Sequence, residues 1–189
     1  MNRRPFLGWL VASVNGLIAL LLGIPAVRYV LHPLGEVAGD RGFLRVAPLS
    51  ALKPGTAFQA TVRDDRTDAY TKYPLGPVGG VWLVLRGDEK APPSAELRLA
   101  ADLPLVDAFQ VVCPHLGCAV DYSSSQRRFA CPCHASAFGL DGRRLSGPSP
   151  RDMDTLACRV SDPDASGERW VEVRFQRFRS GIVDKTPMA

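Results

Sequence analysis

The stretch 113–134 constrains this chain more than any other. It contains Cys-Pro-His-Leu-Gly-Cys at 113–118 and the first four residues of Cys-Pro-Cys-His-Ala-Ser at 131–136, and so holds four of the five cysteines and two of the three histidines. Thiolates and imidazoles are the side chains suited to soft and borderline transition metals. Six candidate ligands follow: Cys113, His115, Cys118, Cys131, Cys133 and His134. A mononuclear zinc site takes four ligands and leaves two over. A two-iron, two-sulfide cluster on two cysteines and two histidines also takes four, and leaves two cysteines that can pair with each other.

The two boxes resemble those of Rieske iron–sulfur proteins, whose pattern is Cys-Thr-His-Leu-Gly-Cys followed by Cys-Pro-Cys-His-Gly-Ser. Here Pro114 stands where Thr is usual and Ala135 where Gly is usual, and neither departure removes a ligand. The resemblance implies one Rieske-type [2Fe-2S] cluster, with Cys113 and Cys131 on one iron, His115 and His134 on the other, and a disulfide between Cys118 and Cys133. It puts Leu116 on the exposed side of the cluster and makes Ser136 a hydrogen-bond donor to a bridging sulfide. It also makes Gly147-Pro148-Ser149-Pro150 a third, covering loop, stiff because proline fixes φ. Phe138 stands where high-potential members carry a tyrosine that bonds a cysteine sulfur. The missing hydroxyl predicts a potential in the middle or lower part of the family's range and a low-potential donor such as menaquinol.

Replacing two thiolates by neutral imidazoles makes the cluster less negative, so it accepts an electron more readily. Such centres lie at about −150 to +300 mV, against about −400 mV for plant-type ferredoxins. The histidine-bound iron carries no thiolate charge and should take the electron. Oxidation adds positive charge and lets the imidazoles lose a proton more easily. A site that accepts an electron and a proton together suits hydroquinone oxidation, with His134 or His115 in contact with the quinol.

Residues 5–27 carry no charge. About 20 apolar residues cross a bilayer as a helix. A secretory signal has a shorter apolar core followed by a small-residue cleavage site, and none is evident here. The expectation is an uncleaved single-pass anchor over 1–31, with Ser13 and Asn15 as its polar members. Arg3 and Arg4 hold the N-terminus in the cytoplasm. Asn2-Arg3-Arg4-Pro5-Phe6-Leu7 also resembles a twin-arginine export signal, with Asn2 in place of Ser or Thr and Gly8 in place of Lys. Either way the remainder lies on the extracytoplasmic side of the cytoplasmic membrane, where a disulfide persists. Residues 32–43 are Gly-rich and without periodicity, as in a flexible linker, and His32 is an interfacial residue.

From Leu44 onward no amphipathic helix is evident. Short β-rich runs at 58–62, 81–85, 97–99, 109–112, 156–160 and 170–175 are punctuated by Gly, Pro and Asp, which predicts an all-β domain. The run 81–85 is apolar throughout and should be central; 58–62 and 171–175 alternate and should each have a wet face. Residues 64–80 and 87–94 read as surface loops. The resulting plan is an antiparallel β-domain over 44–180 with an inserted loop-rich lobe at about 113–150, and a loose tail over 181–189. Cys158 is expected to be a buried free thiol. A net charge of +4 is too small to argue for nucleic acid. Arg127, Arg128, Arg143, Arg144 and Arg151 are expected to be solvated near the lobe, some of them steering docking.

The resemblance thus implies the Rieske subunit of a quinol–cytochrome c reductase of the cytochrome bc type, an electron-transfer subunit that is not catalytic alone. Its implied partners are a cytochrome b subunit, a c-type cytochrome and quinol, in a dimeric membrane complex. The nearest rival is the relay subunit of another exported oxidoreductase such as arsenite oxidase. Rieske ferredoxins and ring-hydroxylating oxygenases fit less well, having neither anchor nor disulfide pair. A structural zinc module is the rival of a different class, separable by metal content.

Overall fold

The structure, a computed structural model, describes residues 3–35, 42–68, 71–86 and 106–188. The chain divides into two compact units, residues 1–40 and 41–189. The first is a single helix, α1 (Arg3–Gly35). Its stretch Arg3–Leu31 is long and apolar enough to cross a membrane. Pro25 removes one backbone donor inside it, which membrane helices tolerate. The helix does not hand over to a linker at residue 32 but continues to Gly35. Pro33 has a helix-compatible φ, and Gly35 is the first residue that leaves a helix readily. Residues 36–41 of the expected linker lie outside the described residues. Gly42 and Phe43 belong to the second unit, where the Phe43 ring meets the guanidinium of Arg159 at 4.3 Å and that of Arg174 at 5.1 Å.

The second unit is built of three antiparallel sheets. The base sheet has the order β1 (Leu44–Pro48), β11 (Trp170–Val173), β10 (Cys158–Val160). The middle sheet has the order β2 (Ala57–Asp68), β3 (Thr71–Leu85), β4 (Val106–Gln110), β9 (Thr155–Leu156). The lobe sheet has the order β5 (Asp121–Ser123), β6 (Arg128–Ala130), β7 (Ala137–Phe138), β8 (Arg144–Ser146). The only helix described in this unit is a 3-10 turn, Leu49–Ala51.

The apolar run on β3 explains the layering. Side chains alternate across a strand. Val81 and Leu83 pack with Val171 and Val173 of the base sheet. Trp82 and Val84 pack with Phe129 and Phe138 of the lobe. Both faces of β3 are therefore covered along 81–84, which is why this run lacks the alternation of a half-wet strand. Trp82 adds a polar tie: its Nε1 donates to the Val120 carbonyl at 3.0 Å, and its ring lies 5.5 Å from that of Phe129.

Several expectations are corrected. Residues 64–68 and 71–80 are not loop but continue strands β2 and β3, with Val62 opposite Gly79 and Asp64 opposite Gly76; residues 69 and 70 lie outside the described residues. Two of the glycines in this stretch, Gly79 and Gly80, stand where a side chain would be crowded. A Cβ on Gly79 would lie 2.1 Å from Cζ of Phe175, so glycine there makes room for a core ring. The run 156–160 is two strands: Thr155–Leu156 pairs with β4, Cys158–Val160 pairs with β11, and the chain changes sheet at Ala157. The loop-rich lobe, expected as an insertion, also carries a four-stranded sheet of short strands. Glu172, expected on a wet face, is 8% exposed. Arg45 and Arg159, its register neighbours on either side, cover it with ion pairs at 3.4 and 2.8 Å. The expected strand 97–99 and loop 87–94 lie outside the described residues.

Candidate metal centre

The two boxes fold into loops of one design. In the first, the Cys113 N–H donates to the Cys118 carbonyl at 2.8 Å and the Gly117 N–H to the Cys113 carbonyl at 3.0 Å. In the second, the Cys131 N–H donates to the Ser136 carbonyl at 2.8 Å and the Ala135 N–H to the Cys131 carbonyl at 3.1 Å. Gly117 and Ala135 thus hold equivalent places, and both are left-handed, with φ of +83° and +58°. The lobe sheet carries these loops: β5 and β6 lie between them, and β6 and β7 flank the second.

The loops bring the expected residues together. Cys118 and Cys133 are joined by a disulfide, with Cα atoms 6.5 Å apart. Cys113 and Cys131 are free and buried, at 0% and 2% exposure. The His115 and His134 rings meet edge to face with centroids 4.7 Å apart. His115 is half-buried and His134 exposed. The Nδ1 of His115 is buried and has no hydrogen-bond partner. A buried polar atom without a partner costs free energy unless something absent from the chain itself satisfies it. Burial pushes the Cys113 thiol up; the backbone N–H of His115 and the Ser136 hydroxyl pull the other way, and the neighbouring Cys131 thiol raises it further. Such a thiol loses its proton to a metal cation. The Cys131 sulfur also lies within 4.8 Å of both disulfide sulfurs, but those two are bonded to each other and offer no thiolate. The free donors are therefore two thiols and two imidazoles, which fits the four protein ligands of a Rieske cluster.

The surrounding residues hold the second and third loops. Ser136 is fully buried, and its Oγ accepts from the Ser149 N–H at 3.1 Å, which leaves its proton for the Cys113 sulfur. Gly147 has φ +90°, and a Cβ there would lie 2.4 Å from Cα of Ser136. Its backbone is pressed directly onto the second loop. Arg144 steadies the third loop by donating to the Ser149 carbonyl at 2.9 Å. Phe138 is fully buried, opposite Phe129 on β6. Leu116 is 63% exposed, and Pro148 is exposed. Arg127, Arg143 and Arg144 are exposed as expected. Arg151 is not solvated. It pairs twice with Asp154 at 2.8 Å, with side-chain exposures of 10% and 3%. The tail is not loose either, since the Gly181 N–H donates to the Pro114 carbonyl at 2.8 Å. Sequence reasoning missed both features. The i, i+3 spacing of Arg151 and Asp154 was the one legible hint. Cys158 is a free thiol whose Sγ donates to the Val106 carbonyl at 2.9 Å, and burial pushes it up to about 12.

Comparison with known proteins gives the family of the chain. Residues 43–158 match the model of the Rieske [2Fe-2S] domain family. The cytochrome b6-f complex iron–sulfur subunit of Trichodesmium erythraeum is 37% identical over 176 residues, covering 93% of this chain and 89% of that protein. The menaquinol:cytochrome c reductase iron–sulfur subunit of Bacillus subtilis is 27% identical over 167 residues, covering 86% of this chain and 88% of that protein. Among solved structures, the plasma membrane Rieske protein of Synechocystis is 26% identical, with a TM-score of 0.35, covering 59% of this chain and 84% of that one. The cofactor is accordingly a [2Fe-2S] cluster of Rieske type rather than zinc. With the family's domain matched over most of the head and an identity above one third sustained along nearly the whole chain, the protein belongs to the Rieske iron–sulfur family.

Proposed function

We propose that this chain is the Rieske subunit of a membrane quinol–cytochrome c oxidoreductase. It takes one electron and a proton from hydroquinone, passes the electron to a c-type cytochrome, and is not catalytic alone. The observation that carries the reading is the buried, unpartnered Nδ1 of His115, set among two free buried thiols and a second imidazole. Cys113 and Cys131 would hold one iron, and His115 and His134 the other. The bound cluster supplies one-electron acceptance at a potential raised by its neutral ligands. His134 is the more exposed imidazole, so its outer nitrogen is the one open to a quinol hydroxyl. It accepts the hydrogen bond and then the proton. Leu116 and Pro148, both exposed, offer an apolar rim that keeps water from this contact.

A hydroquinone has two electrons to give, and the described residues hold one redox site, so a cytochrome b partner must take the second. The similarity to a cytochrome b6-f subunit and to a menaquinol:cytochrome c reductase subunit supports this assembly, and a dimeric complex goes with it. The apolar ring of Phe138, with no hydroxyl for a sulfur, favours menaquinol as the donor. Helix α1 anchors the chain. Arg3 and Arg4 keep its start in the cytoplasm, with the twin-arginine-like segment 2–7 as the export signal. The head then lies outside, where its disulfide persists. Analysis of the purified full chain tests the reading. About two irons and two labile sulfides per chain, with a Rieske-type EPR signal on reduction, are expected. Zinc without that signal would overturn it. Reduction by dithionite but not by ascorbate would support menaquinol.

A further inference from the structure

The C-terminal segment makes contacts that the function above does not use. Residues 177–188 form a small hairpin: the Arg179 N–H donates to the Thr186 carbonyl at 2.9 Å, and the Met188 N–H to the Arg177 carbonyl at 2.8 Å. Its foot is fixed to the domain. Phe178 is 7% exposed in the base core, and Lys185 Nζ donates to the carbonyl and hydroxyl of Thr155 at 2.7 and 2.9 Å. Its tip lies on the first ligand loop. The Gly181 N–H donates to the Pro114 carbonyl at 2.8 Å. A Cβ on Gly181 would lie 3.6 Å from the His115 carbonyl, and one on Gly117 would lie 3.7 Å from Ser180 Oγ. Gly181 has φ +80°, which glycine adopts without strain.

Arg151 locks the tip in place. Its guanidinium pairs with Asp154, donates to the Arg179 carbonyl at 2.9 Å and donates also to the Ile182 carbonyl. The two carbonyls flank Gly181, so one nearly buried cation ties the third loop to the tail. Pro114 has no N–H to offer, and its ring is fully buried. Its carbonyl is therefore the polar hold that the tail can take on the backbone between Cys113 and His115. The hairpin lies beyond the span 43–158 that matches the family domain.

We propose that residues 180–188 act as a strap that holds the His115 loop, with Gly181 and Arg151 as positioning residues for the redox centre. The redox part of this proposal rests on the function proposed above. The test compares the full chain with Gly181→Pro, with a chain ending at Arg179, and with Arg151→Lys. Hydrogen exchange is read at the Cys113 and Gly117 amides and, as reference, in β3; the EPR line shape of the reduced protein is read alongside. Gly181→Pro and the shortened chain should exchange the loop amides about tenfold faster, the scale of one lost hydrogen bond, with β3 unchanged and the EPR lines broadened. Arg151→Lys should fall between, because an ammonium cannot reproduce the guanidinium fork. Unchanged loop exchange, or equal acceleration in β3, would overturn the strap. The exchange comparison needs no cluster, so it decides the matter even for a wild-type chain lacking a Rieske spectrum, a result that would instead overturn the functional reading.

Discussion

Three backbone positions and two side chains set the terms at the residue scale. Ala135 holds the left-handed conformation that Gly117 holds in the sister loop. An L-residue there carries a strain of about 1 kcal/mol, so Ala135→Gly should raise the thermal midpoint without changing the spectrum of the site. Gly147 has no such latitude. A Cβ would meet Ser136 backbone at 2.4 Å, so Gly147→Ala should loosen the third loop and speed loss of the cluster's visible absorption. Phe138→Tyr would add a hydroxyl in the core beside Cys113 and Cys131. One hydrogen bond favouring the reduced state by about 1 kcal/mol corresponds to roughly 40 mV in a one-electron couple, so potentiometry should find the variant that much higher. Asp164 accepts from Ser166 and from Trp170 Nε1, which lowers its pKa from 3.8 to about 2. A carboxylate depressed in the fold stabilises it fully above its ordinary pKa, and that contribution fades as pH falls through about 2. Asp164→Asn should therefore flatten the acid side of the melting temperature against pH.

At the scale of elements, the middle sheet decides where the site can stand. Its β3 carries Val81 and Leu83 toward one core and Trp82 and Val84 toward the other, so the cluster lobe sits on a rigid floor rather than on a loop. The disulfide then ties together two loops whose cysteines are 15 residues apart. Closing a loop of that length in the unfolded chain is worth about 3 kcal/mol. Cys118→Ala with Cys133→Ala should lower stability by roughly that amount and shorten cluster lifetime, read by calorimetry and by bleaching of the visible bands.

For the whole molecule, the separation into two units has a direct consequence. The head has its own two cores, whereas α1 is apolar and exposed along the described stretch Arg3–Leu31. A chain beginning at Gly42 should be recovered soluble, with its melting transition intact. The full chain should remain with membranes after an alkaline wash and be released by detergent.

The six candidate donors were legible in the residues themselves, because Cys and His are chemical facts that need no fold; that Cys118 and Cys133 pair and leave two thiols and two imidazoles free was implied by resemblance, and the fold brings that pair together. Legible too were the anchor, whose uncharged run is read directly against bilayer thickness, and the central strand, whose unbroken apolar run requires two covered faces. Tertiary structure alone decided the rest. Nothing local marks Ala157 as the point where the chain changes sheet, since strand propensity is blind to which neighbour a strand will find. The stretch 64–80 looked like a surface loop, and only Phe175, far along the chain, shows why no Cβ fits at Gly79. Glu172 and Arg151 looked like solvated charges because burial of an ion depends on partners brought in from other strands and from the tail. The hold of Gly181 on Pro114 joins residues 67 positions apart (181 − 114), and a contact of that range exists only once the sheets between them have formed.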